Sequence, residues 1–284
     1  MRLSIIIPTY NNLDYLKFFL LSLKKNSTFE HEIILHINNG SDGTLDYAIN
    51  NNIKYTHSDI NIGLCSSMNK AYAITTTDYI LYAHDDMFFC KKWDTFLINE
   101  IKKYDHNLYY LTGTNISTRH GLINYDCGSE IADFNEKKFD LFCQTDDAFD
   151  LQSSHWAPHL IHKEAWDKIG GFSEEFNPGD GSDPDFCMKL WLANVRIFKG
   201  ISKFKVYHFN SITTRNNKIK LNNGTKQFLL KYGFNPRFFR KYYLRGNNSI
   251  IPFIGKLTNP KITFFMLKDL LINKLKYFLI KFRS

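Results

Sequence analysis

Residues 79–89 read YILYAHDDMFF, and the fold turns on how this stretch is taken. Tyr79-Ile80-Leu81-Tyr82-Ala83 has the length and residue types of a buried strand. The run stops at His84-Asp85-Asp86, and apolar residues resume at Met87. Two adjacent carboxylates at the end of a buried strand repel each other and lose solvation unless a cation or donors compensate. In an open α/β sheet the carboxyl end of such a strand is also where ligands bind. An isolated Asp-Asp pair would read as a solvated turn, so the rest of the chain has to decide.

Upstream, Leu3-Ser4-Ile5-Ile6-Ile7 is an apolar, largely β-branched run that Pro8 is expected to end. A polar loop, Pro8-Thr9-Tyr10-Asn11-Asn12, follows it. Leu13, Leu16, Leu20 and Leu23 then recur at helical spacing to about Lys25. A second strand, residues 32–37, closes on the turn-rich Asn38-Asn39-Gly40-Ser41-Asp42-Gly43. A short helix near 45–49, a strand near 53–56 and a helix from Leu64 to about Ile74, introduced by Asn61-Ile62-Gly63, lead back to Tyr79.

Strands alternating with helices imply parallel pairing through right-handed crossovers, an α/β Rossmann-like sheet with helices on both faces. The loops 8–12, 38–43 and 84–86 should then face one crevice. Farther on, a helix over 93–103 and a strand over 108–112 are expected, and 114–150 resists assignment. A short strand at Leu160-Ile161-His162 should lead into a helix over 163–169, ended by Gly170-Gly171. Pro184 fits the first turn of a helix reaching Ala193, with Asp183 at or beside its N-cap. Residues 204–207 read as a strand that ends at His208.

Composition is that of a folded globular protein: 284 residues, 44% hydrophobic and 23% charged. The odd, scattered Cys65, Cys90, Cys127, Cys143 and Cys187 contain no CxxC pair. That argues against a disulfide framework and a structural zinc site and suits a reducing compartment. The five apolar residues after Met1-Arg2 are too few for a signal peptide or membrane span, so a cytoplasmic setting is expected.

Charge divides the chain. From Thr225 to Ser284 there are 13 Lys/Arg and one acid, Asp269, a net +12, so the first 224 residues carry −4 of the total +8. We therefore expect a catalytic domain over 1–224 and a basic, aromatic helical extension over 225–284. Within the extension Phe264, Leu267, Leu271, Leu275, Phe278 and Phe282 form a helical stripe, with Lys268, Lys274, Lys276 and Lys281 outside it. An anionic membrane surface is one partner such a helix suits, because basic and apolar groups act together there. Packing on the catalytic domain and a homodimer contact are the alternatives. Basic–aromatic interleaving also suits nucleic acid, but no recognition motif accompanies it and no nucleic acid is expected.

Taken in order, SIIIPTYNN, NNGSDGT, NIGLCSSMNKA, HDDM, GGFSEEF and SDPDFCMKLW resemble the inverting family 2 glycosyltransferases of the GT-A fold over roughly residues 3 to 210. The resemblance implies that Pro8, Thr9, Tyr10 and the Asn39 position border a nucleotide base and that Asp85 lies near the ribose. Asp86 would hold a divalent metal on the diphosphate, Asp183 falls at the catalytic base, and His208 where a further metal or diphosphate ligand is found. His84, Asn39 and Ser182 stand where the family has acids.

Such a transfer needs a stabilised leaving diphosphate and a base for the acceptor hydroxyl. A hard cation, Mn²⁺ or Mg²⁺, suits the first task, and His208 favours Mn²⁺. Asn11, Asp42, Asn61, Gly63, Asn69, Lys70 and His84 join the candidate donor-site residues, by their loops or by the helix facing the nucleotide. Trp156 is a candidate sugar-stacking platform and Asp185 a candidate substrate contact. Each has a plain alternative: Asp183 and Asp185 suit a helix N-terminus, Lys70 a solvated face, Trp156 a core. His155, His159 and His162 lack the spacing of a metal cluster.

The expected function is transfer of a sugar from a nucleotide-diphospho-sugar, UDP-linked, to a glycan or lipid-linked saccharide of the cell envelope at the inner membrane face. A sugar-nucleotide-binding or scaffold protein without turnover is the alternative, kept by His84 and Ser182. A pyrophosphorylase would need a glycine-rich basic loop after the first strand, which PTYNN is not.

Overall fold

The computed structural model describes residues 1–119, 121–145, 149–152, 156–210, 219–246 and 250–282. Its centre is one mixed sheet of strands β1 (Ser4–Tyr10), β2 (Glu32–Asn38), β3 (Lys54–Ser58), β4 (Tyr79–Tyr82), β5 (Met87–Phe89), β6 (Tyr109–Ser117), β9 (His159–His162) and β10 (Ile197–His208), in the order β3-β2-β1-β4-β9-β6-β10-β5. Short strands β7 (Ile123–Asn124) and β8 (Leu151–Gln152) pair with β6 and β10. Helices α1 (Leu13–Asn26), α2 (Thr44–Asn50) and α3 (Leu64–Tyr72) make the first crossovers, and β1, β2, β3 and β4 run parallel.

The Rossmann-like expectation holds for this half, and the sheet is mostly parallel throughout. Three short strands depart from it: β5 and β8 are antiparallel to β10 at the far edge, and β9, inside the sheet, is antiparallel to both β4 and β6. Two antiparallel steps restore direction, so β6 and β10 end on the same edge as β1, β2 and β4. That edge gathers Tyr10, Asn38, Tyr82 and His208.

Pro8 does not end β1; the strand runs on to Tyr10. The Ile6 carbonyl accepts from the Ala83 N–H, and β1 pairs with β4 only through Ile6. The nitrogen of Pro8, two residues on, faces that same side after the ladder has stopped, so no sheet hydrogen bond is lost.

Helices α4 (Trp93–Ile101), α6 (Lys163–Ile169) and α7 (Ser182–Leu192) lie close to their expected ranges. Gly170 ends α6 in the left-handed conformation at φ 67°. Strands β6 and β10 are longer than their apolar runs suggested, and α5 (Glu136–Thr145) lies inside the stretch that gave no pattern. The core is continuous, from Ile5, Ile6 and Leu35 through Trp93 and Phe198 to Phe186 and Phe228.

The C-terminal part adds α8 (Gly224–Tyr232), a turn α9 (Pro236–Phe238) running into a π-helical segment Phe239–Tyr243, and α10 (Phe264–Lys281), with Phe228, Phe238 and Phe239 joining the same core. Met266, Leu270 and buried Asn273 set α10 against this aromatic segment, where Asn273 Oδ1 accepts from the Asn235 N–H at 2.9 Å. The stripe Phe264, Leu267, Leu271, Leu275, Phe278 and Phe282 points outward and is more than half exposed at every position.

Candidate active site

Strand pairing explains why the acids of YILYAHDDMFF meet a histidine more than a hundred residues away. After β4 the chain turns through His84-Asp85-Asp86, and β5 pairs antiparallel with the end of β10, Met87 opposite His208. The Phe209 N–H donates to the Asp86 carbonyl at 3.1 Å, closing the pair. Asp86 and His208 are therefore held together by register.

Both acids are buried, at 4% and 3% exposure. Asp85 accepts a 2.6 Å hydrogen bond from the Thr9 hydroxyl, which comes from β1. Asp86 Oδ1 lies 3.0 Å from His208 Nε2 and 3.9 Å from His84 Nδ1. The His84 and His208 rings stand nearly perpendicular, 5.1 Å between centroids. Burial pushes His84 down to about 4, aided by His208 and opposed by Asp86, so its imidazole is neutral at neutral pH.

One carboxylate and two imidazoles, with ligand atoms all within 4.8 Å of one another, fit a divalent cation. His208 Nε2, despite its 3.0 Å approach to Asp86, lacks hydrogen-bond geometry and has no hydrogen-bond partner among the described residues. A buried imidazole nitrogen aimed at a carboxylate without bonding to it is what an ion would bridge.

Asp183 lies in the first turn of α7, whose N-cap is Gly181. Its Oδ1 is buried without a hydrogen-bond partner among the described residues. Desolvation raises the carboxyl to about 7, against 3.8 for a solvated aspartate. His84, His208, Asp183, Asn115, Arg119 and Trp156 all line one cleft of about 1010 Å³. Trp156, 46% exposed, presents an aromatic face there.

The remaining candidates divide by what they touch. Asn11 and Asn39, both at positive φ, join the first two strand-end loops: Asn11 Nδ2 donates to Asn39 Oδ1 at 3.3 Å and Asn11 Oδ1 accepts from Gly40. Pro8 and Tyr10 sit at the same edge on β1. Asp42 spends both oxygens on helix starts, accepting from the Leu13 N–H at 2.8 Å and from the N–H and hydroxyl of Thr44. Asn61 accepts from the Gly63 N–H. Asn69 holds the Phe172 backbone at both its N–H and its carbonyl, tying α3 to the loop after α6. Lys70 is exposed on α3.

Asp185 turns away from the cleft: it is buried, and its Oδ1 accepts from Tyr232 and Lys231 of α8 at 2.7 and 2.8 Å. His162 caps α6, accepting from Glu164, and His159 is stacked with Phe186 and bonded to Tyr110. His155 lies outside the described residues.

Gly63 adopts φ 83° at the start of α3, and a Cβ there would lie 2.4 Å from Asn177 Oδ1, which caps Cys65 and Ser66. Gly63→Ala should destabilise the fold by roughly 2 kcal/mol, read as a lowered midpoint in urea unfolding; an unchanged midpoint would show that the loop yields freely.

Reading the sequence did not single out Asn115, Tyr82 or Arg119. The first two bond the outer nitrogens of the histidines: Tyr82 Oη lies 2.8 Å from His84 Nε2, and Asn115 Nδ2 lies 3.1 Å from His208 Nδ1. A polar Asn inside the strand TGTNIS was the available signal for Asn115. Arg119 follows a strand whose end no pattern marked.

Residues 4–125 match the sequence profile of glycosyl transferase family 2, a match that ends before Asp183 and His208. A comparison with curated protein sequences gave no match. Among solved structures, a fragment of S. aureus TarS is 18% identical and superposes with a TM-score of 0.55, over 73% of this chain and 60% of that one. The same fragment is known with UDP and with UDP-GlcNAc. GalNAc-T7, solved with UDP, GalNAc and Mn²⁺, is 14% identical with a TM-score of 0.58, over 84% of this chain and 50% of that one. The chain thus spans about 60% of the length of the TarS fragment it resembles. Residues 4–125 carry the glycosyl transferase family 2 pattern, on a fold of the GT-A glycosyltransferase type.

Proposed function

We propose that the chain is an inverting glycosyltransferase that moves a sugar from a UDP-linked nucleotide-diphospho-sugar to a hydroxyl of a glycan or lipid-linked saccharide. One observation carries this reading: His84 and His208 of the cluster with Asp86 share one cleft at the carboxyl edge of the sheet with Asp183, whose Oδ1 has no hydrogen-bond partner among the described residues. The ligands in the TarS and GalNAc-T7 structures favour UDP as the nucleotide and Mn²⁺ as the ion.

In this scheme Pro8, Thr9, Tyr10 and the Asn11–Asn39 loop pair border the nucleotide base, and Asp85, anchored by Thr9, lies near the ribose. Asp86 and His208, joined by His84, would hold a divalent ion, which would supply positive charge to offset that on the departing diphosphate. Asp183 takes the proton of the acceptor hydroxyl while that oxygen bonds the anomeric carbon. The carbon–oxygen bond to the diphosphate breaks on the opposite face, its electron pair leaving with the diphosphate, so configuration inverts. A base near 7 is matched to this task at neutral pH. Trp156 offers a stacking face for a sugar, and the cleft residues Asn115, Arg119, Asp126 and Trp156, together with the C-terminal extension, are where donor sugar and acceptor would be told apart.

The outer face of α10 supports a peripheral site of action on an anionic membrane, in keeping with envelope polysaccharide synthesis. No helix among the described residues is long and apolar enough to cross a membrane. Exposed Phe264, Leu271, Leu275 and Phe282 instead lie beside Lys268, Lys274, Lys276 and Lys281 on a helix whose opposite side is packed. Vesicles with an anionic lipid should sediment the protein, and Leu271→Glu with Leu275→Glu should lower the bound fraction at least about tenfold. Equal binding of both proteins would rule this face out.

The enzymatic reading is tested by a screen of nucleotide-diphospho-sugars with Mn²⁺, following nucleotide release. Saturable binding of a UDP-sugar with release of UDP supports it. Binding without turnover on any acceptor supports a degenerate scaffold instead.

A further inference from the structure

We propose that the first helix of the C-terminal extension holds the base of the reaction in place, with Asp180, Asn222 and Tyr232 as positioning residues for Asp183. The inference rests on the transferase reading above and adds the groups that aim its base.

Asp183 Oδ1 has no hydrogen-bond partner among the described residues, so no bond to that oxygen aims the carboxylate. Its direction is inherited from the backbone of the first turn of α7. That turn is gripped on both sides of Asp183 by α8 and the residues that lead into it. On the N-terminal side Asn222 bonds the Asp180 backbone twice. The Asp180 N–H donates to Asn222 Oδ1 at 3.0 Å, and Asn222 Nδ2 donates to the Asp180 carbonyl at 2.8 Å. The Asp180 carboxylate accepts in turn from the Gly224 N–H at 2.8 Å, at the first residue of α8. On the C-terminal side Asp185 Oδ1 accepts from the Tyr232 hydroxyl at 2.7 Å and pairs with Lys231 Nζ at 2.8 Å, in the last turn of α8.

The first grip brings backbone against backbone. A Cβ on Gly224 would lie 2.1 Å from the Asp180 carbonyl oxygen, and one on Gly181, at φ 84°, would lie 2.8 Å from the Gly224 Cα. Two glycines permit an approach at the N-cap of α7 that a side chain on either would block.

The second grip is electrostatic. Asp185 is buried and its Oδ2 has no hydrogen-bond partner among the described residues, so Tyr232 and Lys231 compensate its charge through the other oxygen. Lys231 also pairs with Glu175 at 2.8 Å, and Gln227 Nε2 donates to the Glu175 carbonyl at 2.8 Å. Phe228 and Leu229 already bury the apolar face of α8, so these polar ties are not needed to dock it. Any shift of α8 carries the first turn of α7 with it, and a reacting group displaced by about 1 Å loses on the order of 100-fold in rate.

The test compares the full-length wild type with Asp180→Ala, Asp180→Asn and Tyr232→Phe. UDP affinity with Mn²⁺ is read by calorimetry, and kcat by UDP release from the UDP-sugar that the wild type consumes fastest. Hydrogen exchange over residues 182–187 gives a readout that needs no donor. Asp180→Ala should keep wild-type UDP affinity, lose about 10- to 100-fold in kcat and exchange at least about tenfold faster over that turn. Asp180→Asn, which keeps an oxygen for the Gly224 N–H, should recover most of the rate. Tyr232→Phe should lower kcat at least about threefold, again at unchanged UDP affinity. Thermal melting shows that each variant is folded at the assay temperature. Wild-type kcat in folded Asp180→Ala and Tyr232→Phe, a parallel loss of UDP affinity, or unchanged exchange would overturn the proposal. If the wild type consumes no UDP-sugar, the transferase reading falls, and the exchange rates alone decide whether α8 holds this turn.

Discussion

Asp183→Asn should leave a folded protein that binds donor as wild type does and transfers sugar roughly 10²- to 10⁴-fold more slowly, the usual contribution of a positioned base. The amide keeps the size of the side chain and its place in the first turn of α7 but cannot accept the acceptor's proton. Donor affinity by calorimetry and transfer rate by UDP release separate the two effects. With a carboxyl raised to about 7 by burial, wild-type kcat/KM should climb with pH and level off above about 7.

The same shift makes Asp183 a cost to stability. The folded state holds this proton more tightly than the unfolded chain does. Its stabilising contribution is therefore full below 3.8 and is lost as pH rises through about 7. Asparagine never ionises, so Asp183→Asn should match wild type in acid and melt higher at pH 8, by at most about 4 kcal/mol. Thermal melts at pH 4 and pH 8 check it. A variant less stable than wild type at pH 8 would mean that Asp183 serves the fold.

Asp86→Ala should be the other severe lesion, and by a different route. It removes the carboxylate on which His84 and His208 converge, so the proposed ion would lose its anionic ligand. We expect transfer to fall roughly 10²- to 10³-fold, in line with loss of an electrostatic contact to the leaving group. Mn²⁺ should no longer tighten UDP binding, whereas metal-free UDP binding should persist, because Asp85, Thr9 and the Asn11–Asn39 pair remain. Titration of UDP with and without Mn²⁺ measures both. Retention of a Mn²⁺ enhancement would place the ion elsewhere.

Much of the proposed donor half could be read from residues alone because it is built locally. Each strand there is a short apolar run, each is followed by its polar loop, and parallel pairing brings those loops to one edge. Pro8 misled as a strand end because the cost of a missing N–H depends on what lies beside it, and β4 has stopped there. The antiparallel insertion of β9 could not be seen in Leu160-Ile161-His162, since an apolar triplet carries no direction.

The histidine site was half legible. His208 stood out at the end of a strand, yet its meeting with Asp86 depends on the β5–β10 register, a long-range property. Tyr82 and Asn115 were invisible as site residues because their roles lie in bonds to the histidines. Asp42, Asn69 and Asp185 sit in the right motifs, but their side chains are occupied with helix starts, a loop backbone and α8. A motif places a residue near a site; only its hydrogen bonds say whether it is free to serve there.

The most direct test of the whole account sets wild type beside Asp183→Asn in a ³¹P NMR assay of UDP-sugar turnover with Mn²⁺, after calorimetry has matched their donor affinities. The account predicts equal binding, steady appearance of UDP from the wild type and almost none from the variant. Turnover by Asp183→Asn at the wild-type rate would contradict it.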